Sequence, residues 1–191
     1  VGGMTDEHSR VAALVLAGGR SRRFGSDKLE AEVHGRPLLD AAIDAAVSAS
    51  DTQVVVVGPV ERALPPGVLV TREEPAYAGP FAAVAAGLAL VDADVVLVLA
   101  GDLLDPAPAI PALLGALADD PHADAATVVD ADNRRQPLLA AFRVMPLLGC
   151  VSGVDTDGRA ASELFDGLRV VEVPDAGMWS RDVDTTDDLP G

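Results

Sequence analysis

Glycine, arginine and lysine meet in one short stretch of this chain. Residues 15–28 read V-L-A-G-G-R-S-R-R-F-G-S-D-K, and Lys28 is the only lysine among 191 residues. Arg20, Arg22 and Arg23 stand beside it, while the whole chain carries a net charge of −16. A positive cluster on a glycine-rich loop, in a chain that otherwise repels anions, has the chemistry of a phosphate site. Glycines let backbone N–H groups turn inward as a nest, and the cations neutralise the ligand. All the other basic residues are arginines. Lys28 therefore supplies a compact ammonium where a planar fork would fit worse. The spacing excludes two familiar nucleotide loops. A Walker A loop needs G-x-x-x-x-G-K-[ST], and here Gly25 is followed by Ser26. The dinucleotide fingerprint needs G-x-G-x-x-G, which Gly18-Gly19 does not continue.

Little else in the chain offers reactive chemistry. His8, His34 and His122 fall in no nucleophile or metal pattern. Cys150 is the one cysteine, so no intrachain disulfide forms and a reducing cytoplasm is the expected compartment. It reads as a buried thiol rather than a reactive one. The acidic balance argues against a nucleic-acid partner, which needs a basic surface. No apolar run reaches the ~18–20 residues of a membrane span, so no membrane partner is expected. Residues 1–3 precede Met4 and read as a foreign extension, with the native start expected at Met4 and the tail ending at residue 10.

The elements that must position the loop follow from periodicity. Apolar runs at 11–16, 53–57, 68–71, 94–99, 125–129, 138–143 and 168–173 read as strands. The run at 94–99 is near-continuous Val and Leu, as expected of a parallel strand buried on both faces. Helical stripes begin at Pro37 and Pro80, the second running to about residue 90. Another passes through Ile110, Leu113, Leu114 and Leu117, and a short helix covers 160–165. Alternating strands and helices predict an α/β, three-layer fold with a mostly parallel, mixed sheet and helices on both faces, formed by one domain over 11–191. Ligands in such sheets bind at the carboxyl ends of the strands. That edge should carry the glycine loop, Gly58, the 72–80 loop and Asp102.

The stretch at 16–28 matches L-A-G-G-x-S-x-R-x-G-x-D-K, and the chain resembles the molybdenum cofactor guanylyltransferases and their cytidylyltransferase relatives. Further blocks follow in the family's order. G-R-P-L-L at 35–39 resembles its G-x-P-L, A-G-P-F-A-A at 78–83 its G-P-L-A-G, and A-G-D-L-L-D-P at 100–106 its G-D-x-P. Q-P-L-L-A-A-F at 136–142 resembles Q-P-x-x-A-x-Y/F, and D-V-D-T-T-D-D-L at 182–189 resembles N-x-N-T-P-E-D-L. The resemblance implies a Rossmann-like nucleotide-diphospho-sugar transferase fold.

It also implies roles. Leu16, Ala17, Gly18 and Gly19 would hold the nucleotide through backbone groups, with Val57, Gly58 and Gly79 beside it. Lys28, with Arg22 or Arg23, would neutralise the phosphates. Asp102 would hold Mg²⁺, while Asp105 suits a turn before Pro106 better. Asp184, favoured slightly over Asp182, would be a second metal ligand where the family carries asparagine; a plain acidic C-terminus is the competing reading. Glu73 and Glu74 lie where the family has a nucleotide-contacting aspartate. Either could accept from guanine N1 and N2 or from a ribose hydroxyl, or both could be solvated loop acids. Arg134, Arg135, Gln136 and Arg159 would face the acceptor. The implied reaction moves GMP from GTP to the phosphate of molybdopterin or molybdenum cofactor and releases pyrophosphate. Transient contact with cofactor-biosynthesis or molybdoenzyme-maturation proteins would follow. Three other readings remain. They are cytidylyl transfer to the same pterin, against which G-P-F-A-A speaks, guanylyl transfer to another phosphorylated acceptor such as a phospholactate-type precursor, and a non-catalytic nucleotide-binding regulator.

Overall fold

A computed structural model of the chain describes residues 9–18, 32–33 and 35–181. Strand Val11–Leu16 (β1) is followed by the two-residue strands Glu32–Val33 (β2) and Arg36–Pro37 (β3), which pair antiparallel. Then come helix Leu38–Ala49 (α1), strands Val54–Val57 (β4) and Val68–Thr71 (β5), helix Pro80–Leu88 (α2) and strand Val95–Ala100 (β6). The chain continues through helix Ala109–Asp119 (α3), strands Ala125–Val129 (β7) and Arg135–Arg143 (β8), helix Val144–Val151 (α4), a 3-10 helix at Ala161–Phe165 and strand Val170–Pro174 (β9). The large sheet has seven strands in the order β5-β4-β1-β6-β8-β7-β9. Neighbours from β5 to β6 are parallel, β8 is antiparallel to both its neighbours, and β9 runs parallel to β7.

Strand alternation makes the three layers. On β1, Ala13 and Val15 join Leu39 and Ile43 of α1 and Leu113 and Leu117 of α3 in one core. Ala12, Leu14 and Leu16 point to the other face, where Phe81 and Val84 of α2, Leu147 of α4 and Phe165 pack. Successive side chains on a strand face opposite sides. A strand buried on both sides must therefore be apolar throughout, which is why β4 is four valines and β6 is V-V-L-V-L-A. Among the described residues no helix is long and apolar enough to cross a membrane.

The mixed sheet with helices on both faces is the architecture the sequence implied, with shifts at element ends. β4 starts at Val54 rather than Gln53. The side chain of Gln53 accepts instead from the Asp92 backbone N–H. α2 ends at Leu88. β8 begins three residues earlier than the apolar pattern, at Arg135, and includes Pro137. The proline fits because the β7–β8 register shifts there. Thr127 pairs with Ala140 but Val128 with Gln136, so 137–139 bulge and no ladder bond is lost to the missing N–H. The 160–165 segment is a 3-10 helix over Ala161–Phe165. β9 covers Val170–Pro174 rather than 168–173. Cys150 is half-buried rather than buried. Its thiol donates to the Asp166 carbonyl at 3.5 Å, and partial burial, then the nearby Asp166 and Asp124, push its pKa up. The thiol stays protonated and unreactive.

Candidate functional site

Four parallel strands, β5, β4, β1 and β6, end together. Leu16 lies opposite both Val57 and Ala100, and Val57 opposite Thr71. The chain leaves each strand under tight backbone control. Ala17 N–H donates to Val57 O at 2.8 Å, Gly101 N–H to Leu16 O at 2.9 Å, and Gly58 N–H to Thr71 O at 2.9 Å. Gly58 has φ +147°, and a Cβ there would lie 2.5 Å from the Ala17 carbonyl oxygen. Only glycine lets the β4 and β1 ends approach this closely.

Beyond these ends lies a cavity of about 520 Å³, within the size range of small-ligand pockets. Leu16, Gly18, Ala83, Ala100 and Leu138 form its apolar wall, and Gly79 and Pro80 bring the N-terminus of α2 to it. The first amides of a helix are left without intrahelical partners, and the macrodipole is positive there. Proline at the first helical position fits, because its missing N–H would have had no partner.

Among the described residues two carboxylates line the cavity, Glu73 and Asp102. Asp102 follows β6 by two residues, on a turn held by the Gly101–Leu16 bond. Glu73 is 7% exposed. Its Oε1 accepts from the Tyr77 backbone N–H at 2.9 Å, while its Oε2 is buried with no hydrogen-bond partner. A buried acceptor without a donor costs about 1–3 kcal/mol. A ligand donor reaching Oε2 would remove that cost. Glu74 is exposed and does not line the cavity, with a cis peptide between it and Pro75. The structure thus separates two neighbours that the sequence could not: one faces the cavity and the other faces solvent.

Asp102 suits a divalent ion. Among the described residues no three His, Cys, Asp or Glu side chains form a metal cage. Mg²⁺ commonly takes one or two protein carboxylates and completes its octahedron with phosphate and water oxygens. One hard carboxylate beside a cavity of nucleotide size is a donor set of that kind.

The remaining sequence candidates divide clearly. Leu16, Gly18 and Gly79 line the cavity. The side chains of Ala17 and Val57 are buried in the two cores, so these residues reach a ligand only through the backbone. Arg134, Arg135, Gln136 and Arg159 are not brought into the cavity wall. Arg135 Nε donates to Glu172 at 2.8 Å, Gln136 Nε2 to Asp130 at 2.8 Å and Arg159 Nε to Glu163 at 2.8 Å, while Arg134 lies 3.8 Å from Asp132. Arg159 also stacks over Phe81, 4.8 Å from the ring centroid. The Ala160 backbone N–H and then the Arg159 side chain hold the Glu163 carboxyl below its ordinary range. Asp105 is exposed and lies away from the cavity, on the α1–α3 side. Gly19, Arg20, Arg22, Arg23, Lys28, Asp182 and Asp184 lie outside the described residues.

Sequence reasoning passed over Tyr77. It lines the cavity, is 54% exposed and has φ +66°, a conformation non-glycine residues rarely adopt. The only signal was an aromatic residue two positions before Gly79-Pro80.

Comparison with known proteins shows the family. The MobA-like NTP transferase domain matches residues 13–168. A probable molybdenum cofactor guanylyltransferase of Chloroflexus aggregans is 36% identical over 145 residues, covering 71% of this chain and 67% of that protein. One with the same description from Nostoc sp. is 41% identical over 98 residues, 50% of this chain, and the match spans about half of the Nostoc protein, 47%. The crystal structure of molybdopterin-guanine dinucleotide biosynthesis protein A from Archaeoglobus fulgidus superposes with a TM-score of 0.68 at 22% identity, covering 93% of this chain and 94% of that one. At that identity it speaks for the fold, and it shares the layered nucleotidyltransferase architecture.

Proposed function

This chain belongs to the MobA-like NTP transferase family, and from that premise we propose that it transfers GMP from GTP to the terminal phosphate of molybdopterin. The observation that carries the guanine reading is the buried, unpaired Oε2 of Glu73 on the cavity wall. A carboxylate only accepts hydrogen bonds. Guanine offers N1–H and N2–H₂ side by side on one edge, whereas the same edge of cytosine carries one donor, N4–H₂, beside two acceptors, N3 and O2. Guanine therefore satisfies the orphaned oxygen, and a ribose hydroxyl is the other donor within the same nucleotide.

The chemistry asks the protein for position and charge. A phosphate monoester has a second pKa of about 6, so the acceptor is already mostly ionised at pH 7 and needs no general base. Its oxygen attacks the α-phosphorus in line. A P–O bond forms there, the bond to the β-phosphate breaks, pyrophosphate leaves, and a pterin–guanine dinucleotide remains. Backbone groups of Leu16–Gly19 and the amides at the start of α2 orient the nucleotide. Lys28, with Arg22 or Arg23, offsets the repulsion between two polyanions, which is where most of the barrier lies. Asp102, with Asp184 as second ligand, would hold Mg²⁺, whose charge would stabilise the transferring phosphoryl group. Arg134, Arg135, Gln136 and Arg159 form the acceptor side. The single cysteine, Cys150, fits a reaction in the reducing cytoplasm.

Purified protein with GTP, molybdopterin and Mg²⁺ tests this reading. Pyrophosphate release that needs both GTP and the acceptor is expected. Release that follows CTP would make the protein a cytidylyl transferase. Tight GTP binding with no release under any acceptor would make it a regulator.

A further inference from the structure

We infer that Asp175 is a positioning residue for Asp102, acting through the turn at 177–181 that it builds. The inference rests on the metal role proposed for Asp102 and adds to it a residue outside the cavity wall that sets where that carboxylate stands. Asp102 leaves β6 on a turn bonded on both flanks. On one side Gly101 N–H donates to Leu16 O at 2.9 Å, and on the other Leu104 N–H donates to Arg181 O at 3.1 Å. The first bond ties the turn to β1, inside the parallel sheet. The second ties it to a segment that starts at the opposite edge, after β9. In the sheet β9 lies three places from β6, about 14 Å at ordinary strand spacing. Two antiparallel steps make β6 and β9 point the same way, so both release the chain at the carboxyl edge.

Asp175 turns that chain back. Its own N–H donates to Val129 O at 3.0 Å, which anchors it to β7. Its Oδ1 accepts from Trp179 N–H at 2.7 Å, and its Oδ2 from Ser180 N–H at 3.1 Å and from the Ser180 hydroxyl at 2.6 Å. Arg181 N–H then donates to Met178 O at 3.2 Å, closing the turn whose last carbonyl meets Leu104. Met178 has φ +55°. A non-glycine residue keeps such a conformation only where its surroundings over-determine it. The Met178 side chain is 73% exposed and supplies little packing. The hold comes from the Asp175 bonds and from Trp179, which packs against the same core as Leu103.

A metal ligand is only as well placed as the turn that carries it, and groups behind a ligand matter nearly as much as the ligand. Mg²⁺ demands near-ideal octahedral geometry, so a small displacement of its carboxylate is costly. The nucleotide end of the cavity is held by other bonds, Tyr77 N–H to Glu73 and Gly158 N–H to Ala78 O. Loosening the 177–181 turn should therefore reduce what Mg²⁺ adds to GTP binding and leave metal-free GTP binding alone. The same turn fixes the point from which the chain runs on to Asp182 and Asp184.

Asp175→Ala is the primary variant, read by titration calorimetry of GTP with and without Mg²⁺. Metal-free GTP affinity should be unchanged, while the gain in affinity on adding Mg²⁺ should shrink about tenfold. Trp179 is the only tryptophan in the chain, so its fluorescence reports the turn directly. Its emission should move to longer wavelength in Asp175→Ala while the far-ultraviolet dichroism stays native. Asp175→Asn keeps one carbonyl acceptor and should recover part of the Mg²⁺ gain. Ser180→Ala removes only the hydroxyl donor and should give a smaller loss in the same direction. These two carry the test if Asp175→Ala does not fold. A shifted Trp179 emission with the Mg²⁺ gain intact would overturn the inference and leave Asp175 as the brace of a surface turn, with the metal role of Asp102 standing. A lost gain without any change at Trp179 would overturn the turn as the route. A wild-type protein whose GTP affinity ignores Mg²⁺ would overturn the metal role and this inference together.

Discussion

The carboxyl edge of the sheet is built in two ways. On the parallel side, β1, β4 and β6 run into glycines and short turns tied by cross-strand backbone bonds, and the cavity-facing side chain of Glu73 keeps one acceptor without a donor. On the mixed side, around β7, β8 and β9, polar side chains are matched within the protein: Arg135 with Glu172, Gln136 with Asp130, Arg159 with Glu163. Asp175 shows the same economy. Partial burial works to raise its pKa, but hydrogen bonds from the Ser180 hydroxyl and from the backbone of Ser180, Trp179 and Gly177 outweigh it and hold the carboxyl below its ordinary range. The contrast teaches where a ligand contributes most. A side with an orphaned buried acceptor gains a bond when the ligand arrives. A side of internally paired charges must break or share pairs to admit one, so its contacts add selectivity more than affinity.

Substitutions should expose this asymmetry. The largest effect is expected at Asp102. Asp102→Asn keeps the shape and removes one negative charge. GTP binding without metal should be unchanged or slightly tighter, through relief of repulsion with the triphosphate. Mg²⁺-dependent turnover should fall by about a thousandfold or more, measured as pyrophosphate release. Near-normal turnover would move the metal to Asp182 or Asp184. Next comes Lys28→Ala, where loss of a charge-assisted phosphate contact should cost about 2–4 kcal/mol of GTP affinity with the fold intact. Calorimetry that finds unchanged affinity would remove Lys28 from the site.

Gly58→Ala probes the backbone of the parallel side. Its Cβ would meet the Ala17 carbonyl at 2.5 Å and Gly18 N at 2.9 Å, both backbone atoms that cannot rotate away. A loss of about 2 kcal/mol or more in urea unfolding is expected, with weaker GTP binding as 17–18 shift. The smallest effect belongs to the mixed side. Arg135→Met breaks an exposed ion pair worth about 0.2–1 kcal/mol. GTP affinity should stay within twofold, while the acceptor KM rises. A large loss of GTP affinity there would erase the distinction between the two sides.

Much of this architecture was legible because periodicity and burial are local signals. β5 and β7 match their apolar runs residue for residue. Helix α4 gives only a weak helical signal in the sequence, because M-P-L-L-G-C-V contains Pro146 and Gly149, both poor helix formers. Pro146 stands in the first turn, where the N–H has no helical partner, and so interrupts nothing. The start of β8 was missed because Pro137 hid a bulge. At the site, Asp102 was readable from the strand before it. Glu73 and Glu74 were not separable, because which of the two is buried depends on the conformation of the 72–79 segment, a tertiary fact. Tyr77 was invisible for the same reason: its positive φ and its place on the cavity wall follow from how that segment folds.

The central claim is that the parallel side reads guanine. Competition between GTP and CTP for the wild-type protein, repeated with Glu73→Gln, tests it most directly. The account predicts at least a tenfold preference for GTP in the wild type, shrinking in Glu73→Gln as the all-acceptor carboxylate becomes an amide that also donates. A tenfold preference for CTP, or a GTP preference untouched by the substitution, would contradict it.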